Sequence, residues 1–243
     1  YWDEKKLQRS LKEIFMLQGR IKKCFERCYH YLGAAGKIYA DISGSAKDCI
    51  DEEKADGFMA GFMKRNFPNT GGGNGKIHRR FLSGYTPKGY ITFKDTIYTL
   101  CDKVFVFRDD FFTSPYFMKK AAAYLEQAGI DFYAFYSPTS PNEIEHIAVP
   151  SFSTALVTSE KGCDFEPSLT RKIHLKRFLR EDFTFIRDRL LFSKKIYAAC
   201  INEALESLKK EKALHDDLEE IYIEAMDFSK LGKVSERLCR AVF

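Results

Sequence analysis

The chain has 243 residues, 45% of them hydrophobic and 30% charged, with a net charge of +5. That supplies a packed core for one large domain or two small ones, and no apolar run reaches the roughly 18–20 residues of a membrane-spanning helix. The seven cysteines are odd in number and form no CxxC pair, which argues against a disulfide framework or a zinc ribbon and for a reducing, cytoplasmic setting.

The chain opens at Tyr1 rather than Met and runs directly into helical periodicity, so it is expected to continue upstream. Leu7, Leu11, Ile14, Leu17, Ile21, Phe25, Cys28 and Leu32 recur at three- and four-residue steps, which predicts one helix over 3–32 with a single apolar stripe. Further helices are predicted over 34–53 and 58–65. Cys24 and Cys28 share a helix face near His30; core-facing cysteines are the plain reading and a metal pair the alternative. Residues 67–76 hold FPNTGGGNG, a flexible linker by composition. GGGNGK imitates the end of a phosphate-binding motif, but G-x4-G-K-[ST] would begin at Thr70 and end at Ile77, and no strand precedes it.

From Ile77 the pattern changes. Strands are predicted at 77–82, 104–107, 130–136, 144–149 and 154–158, with helices at 93–101 and 115–127 and a GYTPKG turn at 84–89. Gly129 is placed to end the second of these helices as a left-handed cap. Such alternation predicts a three-layer α/β core over 77–165 with a mainly parallel sheet. Residues 1–66 and 166–243 become helical arms, each with an apolar stripe, and are expected to pack together.

The richest stretch is 103–127, KVFVFRDDFFTSPYFMKKAAAYLEQ. A short strand enters a tight loop and a helix starts at Ser114–Pro115. Nucleoside-triphosphate P-loops share this layout, using glycines for close backbone approach, a lysine for the phosphates and a hydroxyl for magnesium. Here the loop has no glycine and no lysine, and Asp109 and Asp110 stand where phosphates would sit. Read without any ligand, it is an ordinary β–α connector with an acidic approach to a helix N-terminus.

Other candidates are sparser. Lys88, on the glycine-bounded turn, is either an anion contact or a solvated turn residue. Arg171, Lys172, Lys176, Arg177 and Arg180 fall on a predicted basic helix, either a solvated face or a nucleic-acid patch. His215 with Asp216, Asp217, Glu219 and Glu220 reads as a solvated helix face or a metal site. No G-x-S-x-G nucleophile elbow occurs.

A weak internal repeat lays the segment from Ile21 over the segment from Ile196, at an offset of about 175 residues. Both are helical arms that end in an acidic turn, at Asp51 and at Asp227. The stretches YWDEKKL, SGYTPKGYITFKDTI and KEKALHDDLEEIYIEAMDFSK resemble a family of bacterial tandem P-loop ATPases. The resemblance implies two similar halves, each a P-loop core followed by a helical arm. This chain would be the end of the first half and all of the second.

By that resemblance the P-loop lysine falls on Ser114, the magnesium hydroxyl on Pro115, and the glycines on Arg108, Phe111 or Phe112, and Thr113. The second acidic site falls on Ser159. The degenerate nucleotide positions are therefore Arg108, Thr113, Ser114 and Ser159, with no catalytic residue and no metal ligand. The resemblance implies a non-hydrolysing half with a structural or regulatory role, whose partner is the upstream half, where ATP and magnesium would bind. Two alternatives remain open: weak nucleotide binding as part of an active ATPase, and a nucleic-acid module using 171–180.

Overall fold

The structure, a computed structural model, describes residues 2–68, 72–159 and 170–242. Thr70, Cys163 and the expected core boundary at 165 lie outside the described residues. The elements are α1 (Glu4–Asp48), α2 (Glu52–Asn66), β1 (Ile77–Arg80), β2 (Ser83–Thr86), β3 (Gly89–Thr92), α3 (Lys94–Leu100), β4 (Lys103–Arg108) and α4 (Ser114–Gln127). They continue with β5 (Phe132–Tyr136), β6 (Ile144–Val149), β7 (Thr154–Ser159), β8 (Thr170–His174), α5 (Phe183–Ala225) and α6 (Phe228–Val242).

Two compact units emerge, an α/β unit of Leu32–Tyr85 with Gly89–Ile201, and a helical unit of the residues up to Tyr31, Thr86–Lys88 and the residues from Asn202. The α/β unit carries a six-stranded sheet in the order β1-β5-β6-β7-β4-β8. β1 is parallel to β5, and β4 is parallel to β7 and β8. β6 alone runs against its neighbours. The mainly parallel α/β expectation holds.

Period-two alternation sends successive side chains to opposite faces. Phe105 and Phe107 of β4 join a core with Met59, Phe62 and Met63 of α2 and Phe117, Met118 and Leu125 of α4. Val104 and Val106 face the other way, with Ile97 of α3 and Leu82. Helices thus cover both faces. Pro115 sits at the start of α4, where its missing N–H costs nothing. Gly129 follows that helix at φ +71°, as a left-handed cap requires.

Several expectations need correction. The predicted break at residues 33–34 is absent: α1 is one 45-residue helix passing through Gly33. A single glycine costs a helix only about 1 kcal/mol. The GYTPKG turn is a β-hairpin, β2 with β3, whose bend holds Pro87 and Lys88. The expected basic helix over 171–180 is wrong. Residues 170–174 form edge strand β8 and Leu175–Phe178 a 3-10 turn. The sheet therefore continues beyond 165. A parallel slot beside β4 captures the Thr-Arg-Lys-Ile-His segment, and its charged side chains suit a sheet edge.

The glycine-rich segment is not free over its described part. Gly75 donates its N–H to the Glu126 carbonyl at 2.9 Å, and the Lys76 N–H reaches Asp131 Oδ1 at 2.7 Å. A Cβ on Gly75 would lie 2.7 Å from the Ile130 nitrogen, so close approach requires glycine here.

In the helical unit, Ile14 and Leu17 of α1 pack with Leu214 and Leu218 of α5. The expected pairing of the arms holds there, although Leu11 and Phe25 of the predicted stripe stay exposed. No helix among the described residues is long and apolar enough to cross a membrane.

Candidate functional site

In open α/β sheets, ligands bind beyond the carboxyl ends of the parallel strands. β4 and β7 end there at Arg108 and Ser159, which are register partners. The next residue, Asp109, donates its N–H to the Ser159 carbonyl at 3.1 Å. The expected site residues Arg108, Thr113, Ser114 and Ser159 therefore converge on one loop.

What fills that loop is Asp109, which is buried. Its Oδ1 accepts the Phe111 N–H at 3.0 Å and the Thr113 hydroxyl at 3.0 Å. Its Oδ2 accepts the Ser114 N–H at 2.6 Å. A helix leaves its first N–H groups without internal partners, and Pro115 has none to offer. Thr113 makes no side-chain cap. Asp109 therefore caps α4 from five residues back, with a negative group at the positive end of the helix dipole. Asp110 differs from the expectation of two carboxylates in the loop: it is exposed.

Phe111 and Phe112 turn inward. Both are buried with Tyr39, Ile42, Phe183 and Leu190. Phe112 lies 4.6 Å from the Tyr39 ring and 5.2 Å from the Tyr197 ring. Its φ of 55° is the left-handed conformation that glycine adopts freely and phenylalanine rarely does. Lys194 of α5 donates to the Asp110 carbonyl at 2.7 Å and lies over the Phe112 ring.

β6 runs backwards, so its first residues reach the same end of the sheet. Glu145 accepts from the Ser83 hydroxyl at 3.3 Å and from the Tyr90 hydroxyl at 3.4 Å. Burial pushes its carboxyl up to about 7, against the partial relief of these bonds. His146 is buried, and burial pushes its imidazole down to about 3. The Thr158 N–H donates to His146 Nδ1 at 3.0 Å, which assigns the ring proton to Nε2. Burial, then Glu143, holds the Tyr39 phenol far above its ordinary range, with Asp109 and Glu145 adding to it. One Glu143 oxygen, Oε2, is buried without a hydrogen-bond partner. Tyr85 shares hydrogen bonds through Thr139 with Tyr197.

Sequence reading missed Tyr39, Glu143, Glu145, Tyr197 and Lys194. None belongs to a motif, and all arrive from elements distant in the chain. The only advance signal was the phrase around GYTPKG, whose Tyr85 and Tyr90 close over this end of β6. Lys88 is exposed at the hairpin tip, where its N–H bonds the Thr86 hydroxyl at 3.2 Å.

The five basic residues of 171–180 are all exposed, but two of them are engaged. Arg177 stacks on Phe58 and Phe178, and Arg180 donates to the Asp48 and Ile50 carbonyls. Among the described residues, one group of potential metal ligands converges: His215, Asp216 and Glu219, within 4.8 Å and all exposed. Asp216 there is paired with Lys212. Cys24 and Cys28 are free thiols, and burial pushes the Cys28 thiol up.

No family model, no curated protein and no solved structure matches this chain.

Proposed function

We propose that the α/β unit is the catalytically degenerate, non-hydrolysing half of a tandem P-loop ATPase-like protein, serving a structural or regulatory role toward an active upstream half. One observation carries this reading: the N–H groups of the strand–loop–helix turn are already bonded to a carboxylate of the chain itself. A P-loop holds phosphate through such N–H groups. An incoming triphosphate would have to displace Asp109 and face its charge, at a cost of several kcal/mol where the dielectric is protein-like. Phe111 and Phe112 support the same reading, because their rings occupy the loop's inner side.

The loop thereby becomes a fixed joint between β4, α4 and α5. In this reading ATP and magnesium belong to the upstream half. The test is an equilibrium titration of this chain with labelled ATP and magnesium. The expected result is no saturable binding below the millimolar range, equivalent to about −4 kcal/mol. Micromolar, magnesium-dependent binding overturns it. For the full protein, ATPase activity unchanged on removal of 77–243 overturns the assigned role.

A further inference from the structure

The two arms of this chain end in the same way. After the 45-residue α1, Ile50 pairs with Leu179 in an isolated antiparallel bridge, and the Arg180 N–H bonds the Cys49 carbonyl at 2.9 Å. After the 43-residue α5, Met226 pairs with Trp2 in the same kind of bridge, and the Asp3 N–H bonds the Ala225 carbonyl at 2.7 Å. Each turn is followed by an aspartate cap. Asp51 accepts the Lys54 N–H at 3.1 Å, and Asp227 accepts the Lys230 N–H at 3.1 Å. Each cap starts a helix of 15 residues, α2 and α6.

The equivalence breaks at what these last helices cover. α2 buries Ala55, Met59, Phe62 and Met63 against the sheet, with the Phe62 ring edge-on to Phe105 and Phe107. Counted from the cap, the matching positions of α6 are Leu231, Ser235, Leu238 and Cys239, with Val234 matching Phe58. Leu231 is 40% exposed, Leu238 62% exposed and Cys239 exposed, while Val234 is half-buried. Lys230, Lys233, Glu236, Arg237 and Arg240 hold its other side. α6 thus repeats three of the four buried positions of α2 as apolar residues, and leaves them exposed.

The bridges say what belongs there. Leu179 and Arg180 are the exit from a sheet: β8 and a 3-10 turn lead into them. Trp2 and Asp3 hold the corresponding place beside the end of α5. We propose that α6 docks, through Leu231, Val234, Leu238 and Cys239, on the apolar sheet face of a second α/β core that leads into Trp2 as β8 leads into Leu179. A second copy of this chain is a poor occupant, because its matching face is already under α2, where Phe62 is 4% and Met63 1% exposed. The proposal draws on the tandem reading only for the existence of a second core. It is indifferent to whether the Asp109 loop binds nucleotide.

The readout is Cys239, which matches the buried Met63. Alkylation of each cysteine is followed by peptide mass spectrometry in this 243-residue chain and in the full-length protein. Cys239 is expected to react slower in the full protein by on the order of tenfold or more. Leu238→Asp is expected to restore the fast rate there while far-ultraviolet circular dichroism stays unchanged. Equal rates in the two proteins overturn the proposal, as does a gene that encodes no α/β core before Trp2. Light scattering and sedimentation with anionic vesicles test the rival occupants. Self-association or vesicle binding abolished by Leu238→Asp assigns the face to a second copy or to a membrane surface, and overturns it. A titration of the 243-residue chain alone with labelled ATP and magnesium reports on the loop separately, so failure of one reading is distinguishable from failure of the other.

Discussion

The Ser114 N–H meets the Asp109 carboxylate at 2.6 Å, and the same carboxylate holds the Phe111 N–H and the Thr113 hydroxyl. Removing it leaves buried N–H groups without acceptors, each worth about 1–3 kcal/mol. Asp109→Ala is expected to cost about 3 kcal/mol, and Asp109→Asn about half as much, since one amide oxygen still accepts. Urea denaturation checks this through the midpoint at constant slope. A loss below about 1 kcal/mol for the alanine variant would show that the loop does not depend on this carboxylate.

Phe112 offers a reversal of a common order. Glycine is usually worse than alanine in a folded chain, but at φ 55° the alanine Cβ is the strained one. Both truncations lose the contacts with Tyr39 and Tyr197, about 3–5 kcal/mol. Phe112→Gly is expected to be the more stable of the two by about 0.5–1 kcal/mol. Thermal and urea unfolding of both variants would show it, and alanine outranking glycine would contradict the left-handed backbone.

Restoring the P-loop side chains is not expected to restore binding. In Ser114→Lys with Pro115→Ser, the new ammonium starts beside the Asp109 carboxylate and pairs with it. Ser114 is also buried, so the longer side chain must find a path outward. The expected outcome is a modest loss of stability and no magnesium-dependent ATP binding by calorimetry. Tight binding would show a pocket still open.

Glu145 and His146 set opposing pH dependences. The folded-state carboxyl of Glu145 lies near 7, above its ordinary 4.5, so its contribution is complete below about 4.5 and lost as pH rises through 7. With 24% of its side chain still exposed, that contribution is about 2 kcal/mol. His146 lies near 3, below its ordinary 6.5, so its contribution is complete above 6.5 and lost as pH falls through 3. Between about 4.5 and 6.5 the two slopes cancel. Glu145→Gln is expected to unmask a stability that rises with pH across that window, measured by urea midpoints at successive pH values. A variant as flat as the parent would exclude Glu145 as the opposing group.

Gly75 separates a linker from a joint. Alanine there meets the backbone of Ile130, not the end of a flexible side chain. Gly75→Ala is expected to destabilise the α/β unit by about 2–3 kcal/mol. A tethering role alone predicts no change in the unfolding midpoint.

Where a signal was local, the chain carried it plainly. β4 alternates aromatic and branched residues, and α4 is framed by Pro115 and Gly129, so both were legible within a residue or two. β8 was not, because five residues rich in charge become a strand only through β4, some sixty positions earlier. Asp109 and Asp110 look identical in sequence. That one is buried and the other exposed depends on where α4 begins and on α5 delivering Phe183 and Tyr197 to the loop. The Glu145 and His146 environment was invisible for the same reason: it needs β6 reversed among parallel strands and a hairpin folded over its start.

That reversed strand also bears on the order of assembly. β5, β6 and β7 are successive in the chain and adjacent in the sheet, joined by short connections, so their ladders close at small loop entropy. β1 and β8 must wait for excursions that span whole helices. Pulsed hydrogen exchange during refolding is expected to protect Ala134, Ile147 and Leu156 before Arg79 and Ile173. On that expectation, the strands that connect in sequence to α2 and to α5 join a centre already formed, and the long helices follow the sheet rather than organise it.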